Sequence, residues 1–306
     1  MCAERSGRSG SALLAGERRA AHLLVAPAML GLVAFIALPF LAAVVLSLTS
    51  YRLGSPLPLE LVWLRQYGRV LSDEAVLRAL GNNVLFALVV VPFQTALALG
   101  LALLVHRKVK GIAIYRTIFF APVVFPLSLV SVVFMLIFSP GQEGLFNTLL
   151  EVLTFGAWQP HDFLHDPWLA LPAIMITSLW QGVGFQMVVL LAGLQDVPQD
   201  LYDAAAVDGA GAWARFRYIT LPQLRGPLVF VVVVTSILSF RVFDQVRIMT
   251  GGGPRHATTT VLFEAVQAAF DRGWVAYGAA ISVIFFVIVL AITAVERILL
   301  RQEERE

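Results

Sequence analysis

Long apolar runs separated by short polar stretches dominate the pattern along the chain. Six are long enough to cross a hydrocarbon core of ~30 Å, which takes ~20 mostly apolar residues as a helix. They cover approximately Ala20–Leu48, Val84–Val105, Ile118–Phe138, Leu169–Leu194, Leu228–Val246 and Ala276–Ile298. Helices follow because backbone polar groups in lipid must be satisfied within the segment, and the runs are continuously apolar rather than alternating as barrel strands are. Pro27, Pro39, Pro92, Pro122 and Pro126 fall inside runs, where they are expected to kink the helices. The predicted fold is all-α and integral to the membrane: a six-span domain at 20–298 between tails at 1–19 and 299–306.

Composition agrees. The chain has 306 residues, 58% hydrophobic and 14% charged, with a mean hydropathy of +0.81. That is too little charge to cover a soluble domain. A net charge of +2 gives no reason to expect a nucleic-acid partner. Cys2, the single cysteine, excludes an internal disulfide. The polar start carries Arg5, Arg8, Arg18 and Arg19 and resembles a signal-peptide n-region. The apolar run after it is about twice the usual ~7–15 residues, so it reads as an uncleaved first span.

The placement of basic residues sets an orientation. His106–Arg116 holds Arg107, Lys108, Lys110 and Arg116 with no acid, so it is expected in the cytoplasm. Ser139–Pro167 has no Lys or Arg but carries Glu143, Glu151, Asp162 and Asp166, so it is expected outside. Six spans then put both termini in the cytoplasm, in keeping with Arg297, Arg301 and Arg305. One loop fits poorly. Thr49–Asn82 should lie outside, yet it contains Arg52, Arg65, Arg69 and Arg78 against Glu60, Asp73 and Glu74.

Between the fourth and fifth runs lies a polar loop, Gln195–Pro227, on the cytoplasmic side of this arrangement. Pro198 opens it, Asp200 is placed as an N-cap, and Asp203 stands where a capping acid would. A short helix over Leu201–Asp208 should end at Gly209 in the left-handed conformation. Its face with Ala204, Ala205 and Ala206 is nearly bare, so another protein could approach the backbone closely. A second helix, Ala212–Ile219, should carry Trp213, Phe216 and Thr220 on one stripe and stop at Pro222. From the residues alone, an ordinary loop with two amphipathic helices lying at the membrane interface is the readier reading.

The motif Tyr202-Asp203-Ala204-Ala205-x-x-Asp208-Gly209-Ala210, followed by Phe216, Ile219 and Leu221-Pro222, resembles the EAA loop of binding-protein-dependent ABC importer permeases. Asp203 stands where that family usually has Glu. Trp180…Gly184-Phe185…Leu191-Ala192-Gly193-Leu194-Gln195 and Phe243-Asp244…Met249-Thr250-Gly251-Gly252-Gly253-Pro254 resemble its carbohydrate-uptake branch, so the similarity runs from about Asn83 to Arg301. The resemblance implies a type I importer permease in a bacterial plasma (inner) membrane. It implies that the short helix docks in a cleft of a cytoplasmic nucleotide-binding ATPase dimer. ATP and Mg2+ would bind that partner. A second, similar permease chain would complete the pathway, an external solute-binding protein would deliver a sugar or polyol, and no cofactor would bind this chain.

Catalytic signatures are missing. No phosphate loop occurs, and Lys108 and Lys110 are the only lysines. No G-x-S-x-G, H-E-x-x-H or C-x-x-C occurs either. His161 and His165, with Asp162 and Asp166, invite a metal reading, but zinc needs further ligands and a solvated loop suits them better. A secondary carrier should show inverted repeats and buried acids in several spans, and neither is visible. A permease for a non-sugar solute would share the loop but not the Gly-Gly-Pro turn.

Polar groups inside spans are costly and usually face a cavity or a partner. Span four carries Ser178, Gln181 and Gln186; span five carries Thr235, Ser236, Ser239, Arg241, Asp244 and Gln245. Arg241 and Asp244, three apart on a helix, are expected either to pair structurally or to serve a pathway. In the resembling permeases spans four and five line the substrate path, which favours Gln181, Gln186 and Ser239 as partners of sugar hydroxyls. Trp180 either stacks on a sugar ring or packs.

Overall fold

The computed structural model describes residues 22, 24–56, 58–106, 111–141 and 144–302. The tail 1–19, Arg107, Lys108, Lys110, Glu143, Arg305 and the side chains of Arg297 and Arg301 lie outside the described residues. In chain order the helices are α1 (Leu24–Ser47), α2 (Arg65–Ser72), α3 (Glu74–Val105), α4 (Ile112–Val124) and α5 (Leu127–Ile137). Then come α6 (Leu145–Leu153), α7 (Ala170–Gln195), α8 (Gln199–Val207), α9 (Ala212–Gln223) and α10 (Arg225–Phe240). A π-helical turn at Val246–Thr250 and α11 (Val261–Val266) lead to α12 (Val275–Gln302). The described residues contain no strand beyond an isolated bridge between Thr49 and Leu61.

Among the described residues four helices (α1, α3, α7 and α12) are singly long and apolar enough to cross a membrane, and counting each of two bent pairs as one span brings the number to six. The predicted span Ile118–Phe138 is one of those pairs, α4 and α5, which meet at 99°. Pro126 breaks the helix instead of kinking it, whereas Pro122 lies inside α4. Phe125, ahead of Pro126, is driven into the extended region at φ −81°, ψ 137°, as the ring of a following proline requires. The other pair is α9 and α10, at 67°. Here the predicted span Leu228–Val246 stops early, because α10 ends at Phe240 and Arg241 is already its C-cap. Arg241 and Asp244 therefore do not share a helical turn.

The second span errs in the other direction. Helix α3 begins at Glu74 rather than Val84 because the Asp73 carboxylate accepts the Ala75 N–H at 2.9 Å and caps it. Its 32 residues make a rod of ~48 Å, and Pro92 lies within it unbroken.

Helix α3 is the post around which the others pack. Ala98, Ala102, Met187, Leu190 and Leu224 form one buried cluster with α7 and α10. Phe86, Phe134, Ile174 and Val246 belong to a second. Val70, Ala79, Val261, Tyr277 and Ile281 form a third toward α12. Small residues let the backbones approach, which is how helices associate in a medium as apolar as their own side chains.

One buried amide ties these groups together. Asn83, fully buried, donates from Nδ2 to the Phe240 carbonyl at 3.1 Å and the Ser239 carbonyl at 3.4 Å. Its Oδ1 accepts the Val261 N–H at 2.9 Å. Those are end groups that α10 and α11 cannot satisfy internally. Asn82 donates to the His256 and Thr259 carbonyls at 3.0 and 2.9 Å, so α3 also holds the loop between them.

Three of the four arginines that fit the orientation poorly, Arg52, Arg69 and Arg78, have structural partners. Arg52 and Arg69 lie over the Trp274 ring at 5.0 and 5.5 Å, and Arg69 over Tyr277 at 5.2 Å. Arg78 pairs with Glu74 at 2.6 Å. Nearby, Arg247 meets Asp271 at 2.6 Å, a hydrogen-bonded pair that raises the guanidinium above its ordinary pKa.

Replacing Asn83 with Leu keeps the volume but leaves three backbone groups buried and unpaired. The expected loss is about 1–3 kcal/mol, read as a lower midpoint of thermal unfolding in detergent. An unchanged midpoint would remove Asn83 from this role.

Candidate functional site

Two features stand out: the helix–turn–helix between α7 and α10, and a cavity between the far parts of those same helices. In the first, α8 starts after Pro198, with Asp200 in its first turn and no side-chain cap. The expected Asp200 cap is therefore absent; proline at this position directs the chain into the helix without a polar cap. Asp203 Oδ1 accepts from Gln199 Nε2 at 3.2 Å, one turn back, instead of capping. The end of α8 is as expected. Gly209 takes φ +75°, the Gly209 N–H meets the Ala206 carbonyl at 3.1 Å and the Ala210 N–H meets the Ala205 carbonyl at 2.8 Å. This is the Schellman arrangement, with Asp208 as C-cap.

Helix α9 does not stop at Pro222. Its middle, Phe216–Thr220, widens into a π turn, and Pro222 sits at the start of the next turn, Leu221–Gln223. A wider i→i+5 turn ahead of the ring tolerates a residue without an N–H. Trp213 and Phe216 share a ring contact at 5.6 Å, whereas Thr220 is buried away from them. The Thr220 and Tyr202 hydroxyls lie 2.9 Å apart and join α9 to α8. Asp203, Ala204, Asp208 and Gly209 are exposed, and Ala205, Ala210 and Phe216 are half-buried. Val207, Trp213 and Tyr218 also face outward. At the base, Gly193 on α7 lies so close to Pro227 and Leu224 that a Cβ there would clash. The element is thus seated on both spans.

The cavity holds about 500 Å³ and is walled by α3, the α4–α5 pair, α7, α10 and the segment that follows α10. Of the predicted pathway residues it brings together Gln181, Gln186, Ser239 and Arg241; Trp180 and Asp244 are not in its lining. Trp180 packs on Phe134 at 5.4 Å, and Asp244 is exposed elsewhere. Among the described residues no ion pair joins Arg241 to Asp244, in keeping with the early end of α10.

Gln186 Nε2 donates to Thr235 Oγ1 at 2.5 Å and Gln245 Nε2 to Ser178 Oγ at 2.8 Å. In each case the amide oxygen is left buried without a partner, as is Ser239 Oγ. Buried polar atoms are ordinarily paired, so three open ones on one cavity mark a place for a hydroxylated guest or for water. Gln94 on α3 also lines the cavity. Its amide occupies space that any side chain on Gly182 would claim. A lone glutamine in a strongly apolar run gave no sequence signal of its own; Gly182 across from it was the only trace.

The acidic loop makes a compact polar knot. Asn147 Nδ2 donates to the Ser139 and His161 carbonyls at 3.2 and 2.9 Å, and Oδ1 accepts from Trp158 Nε1 at 3.1 Å. His165 Nδ1 meets Asp162 at 3.0 Å and His161 Nδ1 meets the Gln159 carbonyl at 2.7 Å. Among the described residues no group of three or more His, Cys, Asp or Glu could hold a metal.

Residues 94–303 match the family described as "Binding-protein-dependent transport system inner membrane component". The trehalose/maltose transport system permease protein of Thermococcus litoralis is 35% identical over 91% of this chain and 92% of its own. The sulfoquinovosyl glycerol transport system permease protein of Agrobacterium fabrum is 34% identical over 94% and 92%. Among solved structures, a chain of a bacterial alginate ABC transporter, in complex with an alginate-pentasaccharide-bound periplasmic protein, superposes with a TM-score of 0.82. The match is at 18% identity and covers 94% of this chain and 96% of that one.

Removing the Tyr202 hydroxyl (Tyr202→Phe) should cost about one hydrogen bond, ~0.5–1.5 kcal/mol. Amide exchange across 199–207 should then quicken by about 2- to 12-fold. Unchanged exchange would show that the hydroxyl pair does not fix the two helices.

Proposed function

The chain belongs to the binding-protein-dependent transport system inner membrane component family, and from that premise we propose that it forms half of a saccharide pathway driven by a separate ATPase. It is a multi-pass membrane permease subunit of an ABC importer, a class that works with an ATPase and a solute-binding protein. One observation carries the mechanical reading. The exposed helix–turn–helix is anchored to α7 and α10 by its own ends, and those two helices carry Gln186 and Thr235 into the cavity. A push on α8 therefore has only the short link 196–198 to cross before α7 carries it to the cavity wall.

In this reading Tyr202, Asp203, Ala204, Ala205, Asp208, Gly209 and Ala210 form the face offered to the ATPase, with Phe216 and Pro222 shaping the arm behind it. The small side chains admit a groove of another protein close to the backbone of α8. The shorter Asp203 keeps the charge that a glutamate would supply. ATP and Mg2+ bind an ATPase dimer in the cytoplasm, and this chain hydrolyses nothing itself. A second permease chain supplies the other half of the path. Both termini and the helix–turn–helix face the cytoplasm, supported by the basic and acidic loops and by the structural partners of Arg52, Arg69 and Arg78.

A sugar or polyol as cargo is supported by the names of the relatives and by the amide and hydroxyl groups open to the cavity. Such groups offer sugar hydroxyls the partners they lose on leaving water.

Gly209→Val puts a β-branched residue where φ is +75°, a region such residues avoid. ATP-driven uptake by the assembled importer should be abolished with the amount of chain in the membrane unchanged. Full uptake at normal expression would overturn the coupling role. The triple variant Gln181→Ala, Gln186→Ala, Ser239→Ala should slow saccharide uptake or change its selectivity, measured in proteoliposomes. Unaltered rate and selectivity would remove these residues from the path.

A further inference from the structure

The cavity has a charge as well as a polar lining. Of the described residues around it, Arg241 is the one charged side chain; the rest are apolar, amide, hydroxyl or glycine. The Arg241 side chain has no ion pair and no hydrogen bond among the described residues, and it is exposed rather than packed over an aromatic ring. Arg247 and Arg272, at the same end of the bundle, differ in just this respect: Arg247 is held by Asp271 and Arg272 by Glu264. Position 241 is the C-cap of α10, where the helix dipole favours a cation. The dipole would favour it equally if the side chain turned away from the cavity, so it does not account for the direction taken. Beside it, Ser239 Oγ and Gln245 Oε1 are buried and open.

An unpaired cation among spans usually awaits a counter-charge. We infer that the cavity takes an anionic saccharide, its carboxylate, sulfonate or phosphate group held by Arg241 and its hydroxyls by Gln181, Gln186, Ser239 and Gln245. This rests on the saccharide reading above and narrows it to a charge class. A guanidinium presents paired N–H donors that match two oxygens of such a group, which a neutral hydroxymethyl cannot supply.

The test uses the importer assembled with its ATPase and binding protein in proteoliposomes. The probes are neutral mono- and disaccharides and the same sugars with the C6 hydroxymethyl oxidised to carboxylate. The wild type should take up carboxylated members at least ten-fold faster than their neutral counterparts. In Arg241→Gln that ratio should fall at least ten-fold, and Arg241→Lys should restore part of it. Neutral members moving as fast as carboxylated ones in the wild type would overturn the charge assignment and leave the saccharide pathway standing. If no member moves while the ATPase turns over, both readings fall. Should Arg241→Gln not assemble, the wild-type ratio and Arg241→Lys decide.

Discussion

Asn83 satisfies, for two separate elements, three backbone groups that neither helix could satisfy alone. Helix α10 stops at Phe240, and the chain then runs irregularly through a region packed among spans, where an unpaired carbonyl or N–H is costly. The Asn83 amide closes the end of α10 and the start of α11 with one side chain. Thr260 Oγ1 takes the Val242 carbonyl at 2.8 Å, and Thr259 Oγ1 donates to the buried Glu264 at 2.7 Å. Because these bonds are made by α3 and by the loop itself, α10 is free to end early. Its end then presents Ser239, Arg241 and Val242 to the cavity, and Gln245 follows.

The two features assigned to function lie on one continuous path. Gly193 against Pro227 and Leu224 fixes where α7 and the returning chain meet, and the Tyr202–Thr220 pair fixes the angle of the arm beyond. On the other side of that junction, Met187, Leu190, Leu224 and Val231 share a buried cluster. Helix α7 and helix α10 are both packed against α3 and are joined to the arm at this junction.

Hydropathy made the six runs and the intervening loop legible, and the Asp-Gly end of α8 was legible because only one residue type suits a left-handed C′ position. What escaped was decided by tertiary context. Pro92 and Pro126 are the same residue in similarly apolar runs, yet the first lies within an unbroken helix and the second ends one. Arg241 and Asp244 have helical spacing, but whether the helix reaches them depends on Asn83, more than 150 positions away. Asp200 looked like a cap because a polar residue usually fills that place; Pro198 fills it differently. Gln94 is invisible without the gap that Gly182 leaves across from it.

The contrast between the ~48 Å rod of α3 and the hinged pair α4–α5, bent at 99°, has a consequence for the surrounding bilayer. A straight helix longer than the hydrocarbon answers a change in lipid thickness by tilting or by deforming the lipid around it. A pair already folded across its middle has a third option, since its angle can open or close. The protein thus meets its membrane with a straight side and a bent side, and the cavity lies between them.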